Sequence, residues 1–352
     1  MSVKAIDLFC GAGGLTCGLQ QAGINVVAGI DFDDSCRYAY TYNNRAFFIN
    51  KKIQDVSGSD LNQLYGEAAT KILVGCAPCQ PFSTHTLKYK KGKESKTDER
   101  WFLINDFLRL ILEVKPDIVS MENVPNLSEQ DIFLSFVNRL RRAGYSVSFS
   151  VVYCPDYGVP QNRHRLVLLA SRHGKITIIK PLCEPENYKT VRETIGQLVP
   201  IAAGCCSPLD SLHRASSLSA LNMQRIQAST PGGTWHKWDE SLLCDCHKKD
   251  SGKTYASVYS RMEWDKPSPT ITTEFYNFGT GRFGHPEQNR AISLREGALL
   301  QTFPPDYVFL PEGLLSFKKA GKMIGNAVPV ALGKAIGQSI IQHMKGWRDN
   351  YG

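Results

Sequence analysis

The sequence predicts an α/β protein built on a doubly wound, mostly parallel sheet, with a smaller second lobe that is irregular or β-rich. Three observations point there. Short apolar runs alternate with helical patterns through the first half, and a glycine-rich turn follows the first run. Periodicity then fades from about Lys189 to Asp265, where Ser, Gly, Pro, Trp and Cys dominate.

The runs are Val3–Phe9, Val26–Ile30, Ile72–Val74, Asp117–Met121, Ser148–Tyr153 and Arg165–Ala170. With helical patterns between them, they read as strands joined by crossover helices. Such sheets bind ligands outside the carboxyl ends of their strands, and nearly every unusual residue cluster falls there. The stretch Ala331–Met344 carries apolar residues at Ala331, Leu332, Ala335, Ile336, Ile340 and Met344, a helical spacing expected to pack on the first sheet. Residues 1–188 are therefore expected to form one lobe, 189–312 a second, and 313–352 a return to the first.

Composition narrows the class without choosing the chemistry. At 352 residues, 42% hydrophobic and 21% charged, the chain reads as globular and long enough for two lobes. Its 41 basic residues against 33 acidic ones leave a formal charge of +8, which suits a polyanionic partner but is common in enzymes of this size. The 11 cysteines show no disulfide-framework pattern, and no apolar run approaches the ~20 residues that span a bilayer. An intracellular, cytoplasmic protein with reduced thiols is expected.

Chemistry concentrates at six places. In Asp7-Leu-Phe9-Cys-Gly11-Ala12-Gly13-Gly14-Leu, a strand gives way to a helix through glycines that admit a cofactor to backbone amides and the helix dipole. A tight packing turn would look the same. The second strand ends at Asp31-Phe32, where a carboxylate can accept ribose hydroxyls and a ring can stack on a purine; Asp31 could instead cap the next helix. Asp55-Val56 could supply an adenine contact and an apolar wall. Gly75-Cys76-Ala-Pro78-Cys79-Gln80-Pro-Phe-Ser83 displays Cys79 between prolines, as a nucleophile requires and a core thiol does not. Glu122, in Met121-Glu122-Asn123-Val124-Pro125, can protonate or hydrogen-bond a ring nitrogen, or be a surface carboxylate. In Gln161-Asn-Arg163-His-Arg165, alternation predicts three side chains on one face of a strand, with the arginines clamping a phosphate and a base carbonyl or pairing with exposed carboxylates.

Taken in order, these segments closely resemble the carbon-5 cytosine methyltransferases, together with the block Arg295–Pro304 and Gly325-Asn326-Ala-Val328-Pro-Val330. The resemblance covers the chain apart from roughly 189–264, where members of that family differ by target sequence. It implies the S-adenosylmethionine-dependent methyltransferase fold, double-stranded DNA as partner, a monomer, and Cys79 attacking carbon 6 of a flipped-out cytosine. By the same resemblance Glu122 holds ring nitrogen 3 and Arg165 the base's oxygen 2, with Arg163 beside it. Phe9, Gly11, Ala12, Gly13, Gly14, Asp31, Phe32, Asp55, Val56, Pro78, Asn326 and Val328 are implied to hold S-adenosyl-L-methionine. Asp31 stands where the family more often has Glu, and Cys76 where it has other residues; Cys76 is read as structural.

DNA contacts are implied for Gln80 and Ser83, for Lys90 and Lys91 in the Lys88–Lys96 run, for Thr270, and for Gly232 and Gly233 in a groove-facing loop. A lysine run also makes an ordinary solvated loop. Cys205, Cys206, Cys244, Cys246 and His247 lack the two-residue gaps of structural zinc, so packed thiols are the preferred reading and no metal is expected. A tRNA-methylating member of the family, a silent DNA-binding paralogue and, more remotely, a dinucleotide oxidoreductase are the alternatives. A restriction endonuclease acting separately is a partner the resemblance allows.

Overall fold

The computed structural model describes residues 2–78, 103–245, 247–250, 252 and 256–351. The chain divides into two compact units. The first comprises Met1–Tyr157, His164–Leu182 and Val328–Gly352; the second comprises Gly158–Arg163 and Cys183–Ala327.

The first unit is built on seven strands: β1 (Val3–Leu8), β2 (Val26–Asp31), β3 (Phe47–Asn50), β4 (Thr70–Gly75), β5 (Ile118–Asn123), β6 (Ser146–Tyr153) and β7 (His164–Ser171). Their order is β3-β2-β1-β4-β5-β7-β6. Every neighbouring pair is parallel except those made by β7, which runs antiparallel to both β5 and β6. The helices described in this unit are α1 (Gly14–Gln21), α2 (Arg37–Asn43), α3 (Gly58–Tyr65), α4 (Leu103–Val114), α5 (Asp131–Arg142) and α6 (Val330–Tyr351). The sheet's order reverses between β1 and β4, the switch point at which open α/β sheets bind ligands.

Packing follows the sequence pattern. In α4 the buried residues Ile104, Phe107, Leu108, Ile111 and Val114 recur at helical spacing and meet Ile6, Leu73, Val119 and Met121 of the sheet in one core with Phe133 and Phe136 of α5. The expected closing helix is present as α6, and Leu332, Ala335, Ile336, Ile340 and Met344 are buried. It crosses α1 almost backbone to backbone. A Cβ added at Gly18 would stand 2.3 Å from the Val330 carbonyl oxygen, and one at Gly333 3.1 Å from that of Leu15.

Two expectations are corrected. Phe47–Asn50 forms a strand although its alternation is too short to stand out. The single strand expected over Gln161–Arg165 is broken at Arg163: Gln161–Asn162 pairs with Ser268–Pro269 in the second unit, and β7 begins at His164 in the first.

Among its described residues the second unit is irregular rather than β-rich, with two-residue strands and the helices Val191–Ile195, Ala220–Ala228, Leu294–Leu300 and Phe317–Asn326. Buried ion pairs and hydrogen bonds do much of what a sheet would do. Arg290 binds Glu296 through two contacts of 2.7 Å, and each side chain is 1% exposed. Burial pushes the Glu296 carboxyl up, but the Arg290 contacts prevail and hold it below the usual range. Arg261, also buried, donates to the carbonyls of Ile226, Ser229, His285 and Gln288. These bonds tie the carboxyl end of the helix Ala220–Ala228 to the loop carbonyls of Ser229, His285 and Gln288.

Candidate active site

The carboxyl ends of β1 and β2 form a lined turn. Phe9 and Gly11 adopt φ of 59° and 49°, and Gly13, the N-cap of α1, adopts 91°. Nothing stands within 4 Å of the place a Gly11 Cβ would occupy, so the turn is open there. Asp31 at the end of β2 ties the turn down. Its Oδ2 accepts the Gly11 N–H at 2.9 Å and its Oδ1 accepts that of Asp33, while the next helical turn is capped by Asp33 rather than by Asp31, as the capping reading had it. Phe32 beside it is 63% exposed, a ring with a free face. Val56 is buried and Asp55 exposed in the turn after β3. A glycine turn at a helix N-terminus, with a carboxylate and an aromatic face beside it, fits a nucleoside carrying a charged tail.

Beneath the turn lies a residue the sequence reading passed over. Asp7 on β1 is 1% exposed; its Oδ2 accepts from Thr16 Oγ1 at 2.7 Å, and Thr16 meets the Tyr40 hydroxyl at 3.0 Å. Its Oδ1 has no hydrogen-bond partner. Burial raises the carboxyl from 3.8 to about 7, against the Thr16 hydrogen bond and with help from the Asp31 charge.

The second cluster arises because β7 is antiparallel, which brings its first residues beside the carboxyl end of β5. Asn123 pairs with Leu166 and Glu122 with Val167, so Arg165 reaches the Glu122 carboxylate. Nε lies 2.8 Å from Glu122 Oε1, a charge contact short of hydrogen-bond alignment, with the side chains 15% and 3% exposed. The Cys76 thiol donates to Oε2 at 2.8 Å. Asn123 donates to the Ala77 carbonyl at 3.0 Å and accepts the Val124 N–H at 2.8 Å, stitching the segment after β4 to the end of β5. The carboxylate is thus desolvated, charge-paired and held at the mouth of the sheet, where it can accept a hydrogen bond from, or pass a proton to, a polar heterocycle.

Comparison with known proteins decides the family. The model of the C-5 cytosine-specific DNA methylases matches residues 3–342. The chain belongs to that family. The methylase is 56% identical over 344 residues to the Type II methylase M.HgiDII of Herpetosiphon aurantiacus, covering 97% of this chain and 96% of the relative. It is 30% identical over 351 residues to the Type II methyltransferase M1.HphI of Haemophilus parahaemolyticus, covering 97% and 87%. Among solved structures, a protein encoded within an E. coli prophage and assigned as a DNA modification methyltransferase aligns over 98% of this chain and 100% of its own, with a TM-score of 0.75 at 20% identity. S. pombe Dnmt2 methyltransferase aligns over 97% and 99%, with a TM-score of 0.66 at 16% identity. These likenesses establish the fold.

Within the methylase, Phe9, Gly11, Ala12, Gly13, Gly14, Asp31, Phe32, Asp55, Val56, Pro78, Glu122, Arg165 and Val328 all belong to the first unit, whereas Arg163, Thr270, Gly232, Gly233 and Asn326 belong to the second. Cys79, Gln80, Ser83, Lys90 and Lys91 lie outside the described residues, as does Cys246. Arg163 is 3% exposed and donates to Gln161 Oε1, the Ile271 carbonyl and the Ala327 carbonyl. Those bonds bind framework oxygens, so the phosphate-clamp reading of Arg163 gives way to one in which it braces the second unit. Thr270 donates to the Asn162 carbonyl at 2.7 Å. Gly232 has φ 71°, and Gly233 closes a turn on Thr230. Cys205 and Cys206 are exposed rather than packed, at a bridge to Arg214. Among the described residues no three His, Cys, Asp or Glu side chains gather as a metal site, and no helix is long and apolar enough to cross a membrane.

Proposed function

We propose that this methylase transfers a methyl group to carbon 5 of a cytosine flipped out of double-stranded DNA at a specific sequence, through a transient bond from Cys79 to carbon 6. The observation that carries the proposal is the desolvated Glu122 carboxylate, paired with Arg165 and standing where the segment leading to Cys79 leaves β4. Carbon 5 of cytosine is not nucleophilic by itself. Addition of the Cys79 thiolate to carbon 6 makes it so, and Glu122, having taken up a proton from solvent, shares it with ring nitrogen 3 and offsets the charge that develops there. Arg165 serves the base's oxygen 2 and keeps Glu122 oriented. Loss of the carbon 5 proton to water then expels the Cys79 thiolate, ring nitrogen 3 returns its proton to Glu122, and the ring's carbon 5–carbon 6 double bond is restored.

S-adenosyl-L-methionine, when bound, supplies the methyl group as an activated electrophile. Gly11, Ala12, Gly13 and Gly14 would receive its charged tail, Asp31 its ribose, and Phe32, Asp55 and Val56 its adenine; Phe9, Pro78, Asn326 and Val328 complete the set. The second unit selects the target sequence and Lys90 and Lys91 hold phosphates. The Type II names of the relatives support a cytoplasmic modification enzyme whose restriction endonuclease acts separately.

The test combines bisulfite sequencing of DNA from a host expressing the chain with trapping on duplexes carrying 5-fluorocytosine at the mapped target. Fluorine cannot leave as the proton does, so a denaturant-stable complex is expected. Methylation without a trapped complex overturns the covalent route. No methylation of DNA, with tRNA modified instead or with neither modified, overturns the substrate.

A further inference from the structure

We propose that Cys76 is a positioning residue for the reaction, orienting the Glu122 carboxylate through its thiol; this rests on the reading of Glu122 given above. Both oxygens of Glu122 are engaged, but unequally. Oε1 faces Arg165 Nε in a charge contact without hydrogen-bond alignment, which compensates charge and leaves the rotation of the carboxylate plane loosely held. Oε2 accepts from Cys76 Sγ at 2.8 Å, and that directional bond sets the plane.

The backbone holds Cys76 for this task. Its N–H donates to the Leu8 carbonyl at 3.3 Å, continuing β4 one residue past its end. The next carbonyl, of Ala77, accepts from Asn123, the neighbour of Glu122. The backbones of Cys76 and Glu122 therefore sit on two strand ends pinned to one another through the Asn123 side chain, which sets the gap that thiol and carboxylate bridge.

A thiol suits a bond that must later yield. It is a weak donor, cheap to desolvate, so it can hold the carboxylate in the empty enzyme and give way when a proton shared between Glu122 and the base's ring nitrogen makes the stronger bond. A hydroxyl at the same place would hold Oε2 more firmly and compete with the base. An alkyl group would leave the carboxylate oriented by Arg165 alone.

The experiment is a double-mutant cycle on the full chain, reading the single-turnover methylation rate on a mapped duplex target. C76A is expected to lose about 5-fold in rate, the worth of one ordinary hydrogen bond. Cofactor affinity and melting temperature should be unchanged, and C76S should recover part of the rate. In an E122Q background, C76A should cost less than about 2-fold, because the bond it removes no longer positions a carboxylate. The proposal fails if C76A alone is as fast as wild type, if it costs as much in the E122Q background as in the wild-type one, or if its loss tracks weakened cofactor binding or a lowered melting temperature. Full activity in E122Q would overturn the role of Glu122 and this proposal with it. A slow E122Q with an unaffected C76A would overturn the role of Cys76 alone.

Discussion

Asp7→Asn should stabilise the protein at neutral and alkaline pH and do so less and less as pH falls. The native carboxyl is 1% exposed, and burial raises it from 3.8 to about 7. Below pH 3.8 it is protonated in folded and unfolded chains alike, and its contribution to stability is intact. Between 3.8 and about 7 the unfolded chain ionises while the folded one keeps its proton, so stability drains away by about 1.4 kcal/mol per pH unit. Above about 7 the loss is complete, on the order of 4 kcal/mol. Asn has the same shape, still accepts from Thr16 and never ionises. The stability difference between Asp7→Asn and wild type should therefore widen by about 3 kcal/mol between about pH 5 and 8 and level off beyond, which urea unfolding at a series of pH values measures directly. A difference that stays constant with pH, or shrinks as pH rises, would refute the claim that this carboxyl is neutral in the fold.

Cys79→Ser should abolish methyl transfer while the cofactor dissociation constant, read by calorimetry, changes little, since the proposed cofactor contacts lie on other residues; substantial residual turnover would sink the covalent route. Replacing Lys90, Lys91 and Lys93 with Ala should weaken binding to every duplex and flatten the dependence of affinity on salt. Substitutions across Thr230–Trp238 should instead change which sequence is methylated, at about 1–3 kcal/mol per lost base contact. Genome-wide methylation maps for both sets of variants check the division, and a motif altered by the lysine variants alone would reverse it.

Most of the sheet was legible because its central strands are largely apolar on both faces and stand between helical patterns. Phe47–Asn50 was not, since an exposed Phe47 at a sheet edge carries no alternation. The glycine turn and Glu122 could be found from residue type alone. Their partners could not: Cys76 and Glu122 are 46 positions apart, and only the pairing of β4 with β5 brings them together. Asp7 left a signal that was missed, an acidic residue inside an apolar strand with a hydroxyl nine positions on. The second unit was opaque for a different reason. Arg261 and the Arg290–Glu296 pair replace periodic apolar residues as its internal support, and hydrophobic patterning says nothing of them.

The approach of α6 to α1 has a consequence for biosynthesis. Leu15 and Leu19 of α1 are buried, and the groove at Gly18 is filled by Val330 and Gly333, from the far end of the chain. A ribosome that has made the glycine turn and the whole second unit has still not made the helix that covers α1. Until residues 330–344 emerge, α1 presents its apolar stripe to water or to chaperones, and a helix made before the second unit is sealed only after it.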